Sequence, residues 1–108
     1  MTRPASTGDP SGTVVEFLTF RVPLDERAEW IQIEEATWSR FLERQDGFVR
    51  KQLWVDIDDP EHVHAMIEWA SIEQWQSIHA DELAAVDAAM GHWVREPTCR
   101  TYEVIRDC

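Results

Sequence analysis

Long apolar runs, basic charge, cysteine and glycine are all scarce in this sequence, and each shortage excludes something. No stretch approaches the roughly 20 consecutive apolar residues of a membrane-spanning helix, and residues 1–13 (MTRPASTGDPSGT) lack the apolar core of a secretory leader. A cytoplasmic protein with no membrane partner is therefore expected. Ten Lys and Arg stand against 21 Asp and Glu, a formal charge of −11. Nucleic acid demands a basic surplus to offset phosphate charge, so it is not an expected partner. The two cysteines, Cys99 and Cys108, lie close to the C-terminus, and two free thiols in a reducing compartment are expected. Neither has a Cys or His neighbour at zinc spacing.

What is present suffices for one self-contained core. A chain of 108 residues falls in the usual single-domain range, and size scaling gives about 6,200 Å² of folded surface against about 18,000 Å² unfolded. Residues 1–13 are rich in Pro, Gly, Ser and Thr without apolar periodicity, which predicts a disordered tail before one domain over 14–108. Only Arg3 and Asp9 in that tail are charged, so the acidity belongs to the domain.

Periodicity then divides the domain. Val14 to Val22 (VVEFLTFRV) is β-branched and aromatic and ends at Pro23, predicting a first strand. From Glu26 to Arg44 apolar residues recur at helical spacing, with Asp25 as a candidate cap and Gly47 as the stop. Glu34 sits inside that apolar arc, where an acid must be paired, hydrogen-bonded or directed into a cavity. Phe48 to Asp56 and His62 to Ala70 read as a hairpin, with Ile57 to Glu61 as its loop. The acids Asp56, Asp58, Asp59 and Glu61 lack the length and central Gly of a calcium loop and read as a solvated turn. Ser71 and Gln74 form a capping box before a second helix, which has a possible break near His79 and a second cap at Asp81. Pro97 ends it, and Thr101 to Arg106 is the predicted closing strand.

Strand, helix, strand, strand, helix, strand is the order of the split βαβ, ferredoxin-like α+β arrangement: a four-stranded antiparallel sheet with both helices on one face. Alternation puts Val63, Ala65, Ile67 and Trp69 on one side of the third strand and His62, His64, Met66 and Glu68 on the other. The second strand separates Val49, Leu53 and Val55 from Phe48, Arg50, Gln52 and Trp54. The first is apolar on both sides: Val14, Glu16, Leu18 and Phe20 against Val15, Phe17, Thr19 and Arg21. The face away from the helices is too apolar for water, and packing of two such sheets in a homodimer would cover it and leave a lumen.

Several residues then carry candidate chemistry. His62 and His64 form an HxH pair, but no spacing supplies a third ligand, and no metal is expected. His79 is placed on the apolar side of the second helix. Glu16 and Glu68 are candidate lumen acids, within reach of Arg50 for a structural ion pair or, if unpaired, of service as a desolvated base. Trp30, Trp38, Trp75 and Trp93 recur at helical spacing and read as core. Trp54 shares the putative lumen face with Gln52 and Arg50 and could stack on a planar ligand.

VVEFLTFRVP, the WxxFLxxxxGF spacing of Trp38, Phe41, Leu42, Gly47 and Phe48, and EWxSxExW at Glu68 to Trp75 resemble the dimeric α+β barrel proteins. More narrowly, they resemble a small bacterial group, known largely from cyanobacteria, near the antibiotic-biosynthesis monooxygenases. The resemblance spans residues 14–106. It implies a homodimer, a small-molecule ligand and, if the chain is an enzyme, cofactor-independent oxygenation of an aromatic or enolisable substrate. On that reading His64 or Glu68 is the base, Arg50 and Gln52 stabilise the anion, Trp54 is the packing wall, and Glu16 and His79 are further ligand contacts. Haem-degrading relatives use a first-strand Asn with a helical Trp and His. Here Trp75 and His79 are only four residues apart, and Glu16, Phe17, Leu18 and Thr19 stand where the Asn would be. A non-catalytic dimerisation or ligand-carrier module is the rival, and it requires the polar lumen residues to pair with one another.

Overall fold

The computed structural model describes residues 12–107. Most of the predicted tail, and Cys108, therefore lie outside the described residues. Thr13, counted with the tail in sequence, is buried, and its carbonyl accepts from the Val104 amide at 3.0 Å. Strands β1 (Val14–Arg21), β2 (Phe48–Val55), β3 (His62–Trp69) and β4 (Thr98–Glu103) form one antiparallel sheet in the order β2-β3-β1-β4. One face is covered by α1 (Arg27–Glu34), α2 (Arg40–Glu43), α3 (Ile72–Gln76) and α4 (Ala80–Met90). This is the expected ferredoxin-like α+β fold.

The core follows the alternation of β3: Val63, Ala65, Ile67 and Trp69 are buried beneath the helices, joined by Val14 and Phe20 of β1. Trp30 of α1 meets Phe20 with ring centroids 4.9 Å apart. At the start of β2 the reading by strict alternation fails. A bulge between Phe48 and Arg50 takes up one residue, so Phe48 turns to the helix side against Trp69 and Val49 is left half-exposed. Bulges add a residue to one strand only, so the alternation changes phase across them.

The first helical segment also departs from the expected continuous helix. Between α1 and α2 the chain makes a π-helical turn over Glu35–Ser39. Asp25 is not its cap; Glu26 holds that position without a side-chain bond. The second helical segment does break as the sequence suggested, with Ser71 Oγ accepting from the Gln74 amide at 3.1 Å to start α3. The restart at α4 is capped by the His79 backbone rather than by Asp81, which lies in the first turn. The closing strand begins three residues earlier than expected, at Thr98. Its register is set by pairing with β1, from Thr19 to Thr98 through Val14 to Glu103, and not by the apolar residues beyond it.

Gly47 joins the two halves. Its φ is +85°, and a Cβ there would lie 2.6 Å from Cβ of Gln74 in the α3 cap. Its carbonyl accepts from the Ala70 amide at 2.7 Å. Gly47→Ala is expected to destabilise the fold by roughly 1–3 kcal/mol, from left-handed backbone strain and this contact. A lower urea midpoint with an unchanged denaturant slope would record it.

Candidate active site

A cavity of about 430 Å³ lies between the sheet and the helices. That is within the roughly 300–1,000 Å³ of small-molecule sites. Its floor is the helix-facing row of β1 and the Ile67–Trp69 end of β3, and its walls come from α1 to α4 and the segment 94–97. Tryptophan dominates the lining: Trp30, Trp38, Trp69 and Trp75. Three of the four helical-spacing tryptophans named in sequence therefore border a cavity, whereas Trp93 packs partly buried at the core edge.

Glu16 stands in this apolar setting because it alternates with Val14, Leu18 and Phe20. Trp69 Nε1–H donates to its Oε1 at 3.3 Å. Desolvation by burial holds its carboxyl above the ordinary glutamate range, against the opposing pull of the Trp69 hydrogen bond, the Lys51 charge and a Trp75 hydrogen bond. A carboxyl so placed remains a weaker acid, and hence a stronger base, than one in water.

A second acid lines the cavity. Glu34, only 4% exposed, is ion-paired with Lys51 of β2. Lys51 Nζ also donates to Ser39 Oγ at 2.9 Å, and Ser39 Oγ lies 3.5 Å from Glu34 Oε1. Residues 34 and 39 could not share a face of a regular α-helix, where five residues advance about 500°, leaving them roughly 140° apart. The π turn closes that angle. Sequence reasoning found Glu34 and its need for a partner but missed Lys51. The available signal was a lysine alternating with Leu53 and Val55.

One polar group on the lining has no partner among the described residues. Trp30, 1% exposed, carries a buried indole N–H without an acceptor. Such a donor costs about 1–3 kcal/mol if nothing satisfies it.

The other candidates named in sequence occupy different places. Arg50, Gln52, Trp54, His64 and Glu68 lie on the open face of the sheet, opposite the cavity. There they are committed to one another or to near neighbours. Arg50 Nε donates to Glu68 Oε1 at 2.8 Å, Trp54 Nε1–H to Gln52 Oε1 at 2.9 Å, and His64 Nδ1 lies 2.9 Å from Thr19 Oγ1. His64 also stacks on Phe17, with centroids 5.1 Å apart. Glu16 alone of the named site residues enters the cavity. His79, placed in sequence on the apolar side of its helix, is instead exposed in the break before α4, where the chain is extended and no helical face exists. Of Trp75 and His79, only Trp75 reaches the cavity.

His62 is turned outward to Arg21 and Asp59, apart from His64. No cluster of three metal-ligating side chains occurs among the described residues. The acidic hairpin loop is a turn: Asp56 Oδ1 accepts from the amides of Asp58 at 2.8 Å and Asp59 at 3.2 Å, and these bonds hold its carboxyl below the ordinary range. No helix among the described residues is long and apolar enough to cross a membrane.

No protein-family model and no curated protein matches the chain. Solved structures do. A cofactor-independent oxygenase from Streptomyces nogalater, SnoaB, superposes with a TM-score of 0.72 at 19% identity, covering 89% of this chain and 96% of its own. A protein from Bordetella bronchiseptica, provisionally named an antibiotic biosynthesis monooxygenase, gives 0.73 at 12% identity, covering 88% and 99%. A provisionally named monooxygenase from Shewanella loihica gives 0.66 at 23% identity, covering 89% and 97%. The chain shares the ferredoxin-like α+β fold of these proteins. Within that fold, the open sheet face and the helix-side cavity are separate surfaces of one chain.

Proposed function

We propose that the chain is a cofactor-independent monooxygenase acting on an aromatic or enolisable molecule in the helix-side cavity, with Glu16 as general base. The observation that carries this reading is a carboxylate held above its ordinary range in a tryptophan-lined cavity large enough for a small arene. A base is most effective when its pKa approaches the working pH, and desolvation moves Glu16 in that direction. Its carboxylate takes a proton from a carbon activated by a phenol or enol. The resulting carbanion reacts with dioxygen to give a peroxide, which loses water to leave a carbonyl. One oxygen atom stays on the substrate and the other leaves as water, with the substrate's CH₂ supplying the electrons. Trp30 offers an uncommitted N–H to an oxygen of the bound molecule, and the Trp38 and Trp75 rings hold its plane. The structurally similar SnoaB, a cofactor-independent oxygenase, supports the reaction class.

The test is a screen of phenols and anthrone-like compounds with oxygen uptake as readout and without added metal or flavin. Turnover is expected for at least one electron-rich arene. A full screen with neither uptake nor binding would overturn the reading.

The open face serves a different end. Phe17 gathers Trp54, His64 and Tyr102 around it at centroid distances of 5.1–6.2 Å. Trp54 is 44% and Tyr102 52% exposed. The helices are all on the other side, so this aromatic surface is assigned to a second copy packed sheet to sheet. Phe17→Glu is expected to shift the sedimenting species from dimer to monomer. A wild-type chain that sediments as a monomer at tens of micromolar would contradict the assignment.

A further inference from the structure

The charges around the cavity do not balance, and they point to the kind of molecule it accepts. Four acids border it: Glu16, Glu34, Asp87 and Glu96. Only Arg95 among the lining residues is cationic, and Arg95 is ion-paired with Glu26 while donating to the carbonyls of His92 and Val94. Lys51, behind the wall, is committed to Glu34 and Ser39. Asp87 and Glu96 make no ion pair among the described residues, and Glu16 receives hydrogen bonds only from indoles. The lining thus offers the unpaired carboxylates of Asp87 and Glu96 at its exposed edge, indole faces and the acceptor-less N–H of Trp30.

An anionic ligand would meet this negative rim as well as a chain charge of −11. A positive charge beside indole rings and carboxylates is favoured twice, by ring quadrupoles and by direct attraction. The chemistry proposed above sharpens the demand. Removing the proton from the activated carbon places negative charge on the phenol or enol oxygen, where the lining offers no uncommitted cation among the described residues. A substrate bearing its own ammonium group would supply that charge.

We propose that the cavity selects a protonated aromatic amine with a phenolic oxygen, the amine directed to the Asp87 and Glu96 rim and the ring between the tryptophans. This rests on the reading of the cavity as the substrate site.

The experiment is calorimetric titration of the full-length chain at neutral pH and low salt with three matched probes. These are 4-(2-aminoethyl)phenol, neutral 4-ethylphenol and anionic 3-(4-hydroxyphenyl)propanoate. The amine is expected to bind at least 10-fold tighter than 4-ethylphenol, and the carboxylate more weakly than either. The Asp87→Asn, Glu96→Gln double variant should remove most of the amine's advantage while leaving 4-ethylphenol affinity unchanged. Asp58→Asn, in the distant hairpin loop, should leave the advantage intact. Binding of 4-ethylphenol without preference for the amine, or an equal loss in the Asp58 variant, overturns the charge selection and leaves the cavity as a site. Failure of all three probes to bind overturns both.

Discussion

Glu16→Gln is expected to lower the rate of oxygen uptake by about 10²–10⁴-fold, the usual contribution of a positioned general base, while the chain stays folded. The amide keeps the shape and can still accept from Trp69 Nε1–H, but it cannot take a proton. Wild-type activity should rise with pH through a value above the ordinary glutamate range, because the deprotonated form is required and burial raises its pKa. The stability consequence has the opposite sign. The folded state holds the Glu16 proton more tightly than the unfolded chain, so Glu16 subtracts stability as pH rises from about 4.3 through its folded pKa. The variant lacks this penalty, and its stability relative to wild type should therefore increase over that window. Unchanged turnover in the variant would remove Glu16 from the chemistry, whatever its effect on stability.

Lys51→Met is expected to have the largest effect on folding. It leaves the Glu34 carboxylate buried without its partner, and breaking a buried ion pair from one side costs about 3–5 kcal/mol. At a urea slope near 2 kcal/mol per M this lowers the midpoint by roughly 2 M. A double variant, Glu34→Leu with Lys51→Met, removes both charges and should recover most of the loss, because apolar replacement of a whole buried pair is often neutral. The charge of Lys51 also opposes the desolvation of Glu16. Its removal should therefore move the acid limb of the activity profile to higher pH. A single-variant cost below about 1 kcal/mol, the level of an exposed pair, would show that the Glu34–Lys51 contact contributes little.

The pattern of buried residues was largely legible because it depends on local periodicity. Val63, Ala65, Ile67 and Trp69 alternate as a strand with one covered face must, and the order of elements follows from turn and cap residues such as Gly47 and Ser71. Two features escaped because they depend on departures from period: the bulge at Val49 turned Phe48 to the helix side, and the π turn brought Ser39 to Glu34 against helical spacing. Lys51 kept period with Leu53 and was overlooked as a lone charge in an apolar row. The proposed placement of the site depends on a third dimension that alternation does not supply. It separates the two faces of the sheet but does not reveal which one borders a cavity. The polar residues of β2 and β3, from Arg50 to Glu68, drew attention to the open face, where they satisfy one another. Glu16, already on the apolar row of β1, was the residue whose surroundings carried the signal: a carboxylate among Val14, Leu18 and Phe20.

The claim that chemistry resides between sheet and helices, at Glu16, is tested most directly by a crystal structure of the chain soaked with 4-(2-aminoethyl)phenol. The expected result is ligand density inside the cavity, against the Trp38 and Trp75 rings and within reach of the Glu16 carboxylate. Density on the open face, against Trp54 and Arg50, with the helix-side cavity holding only water, would contradict the account.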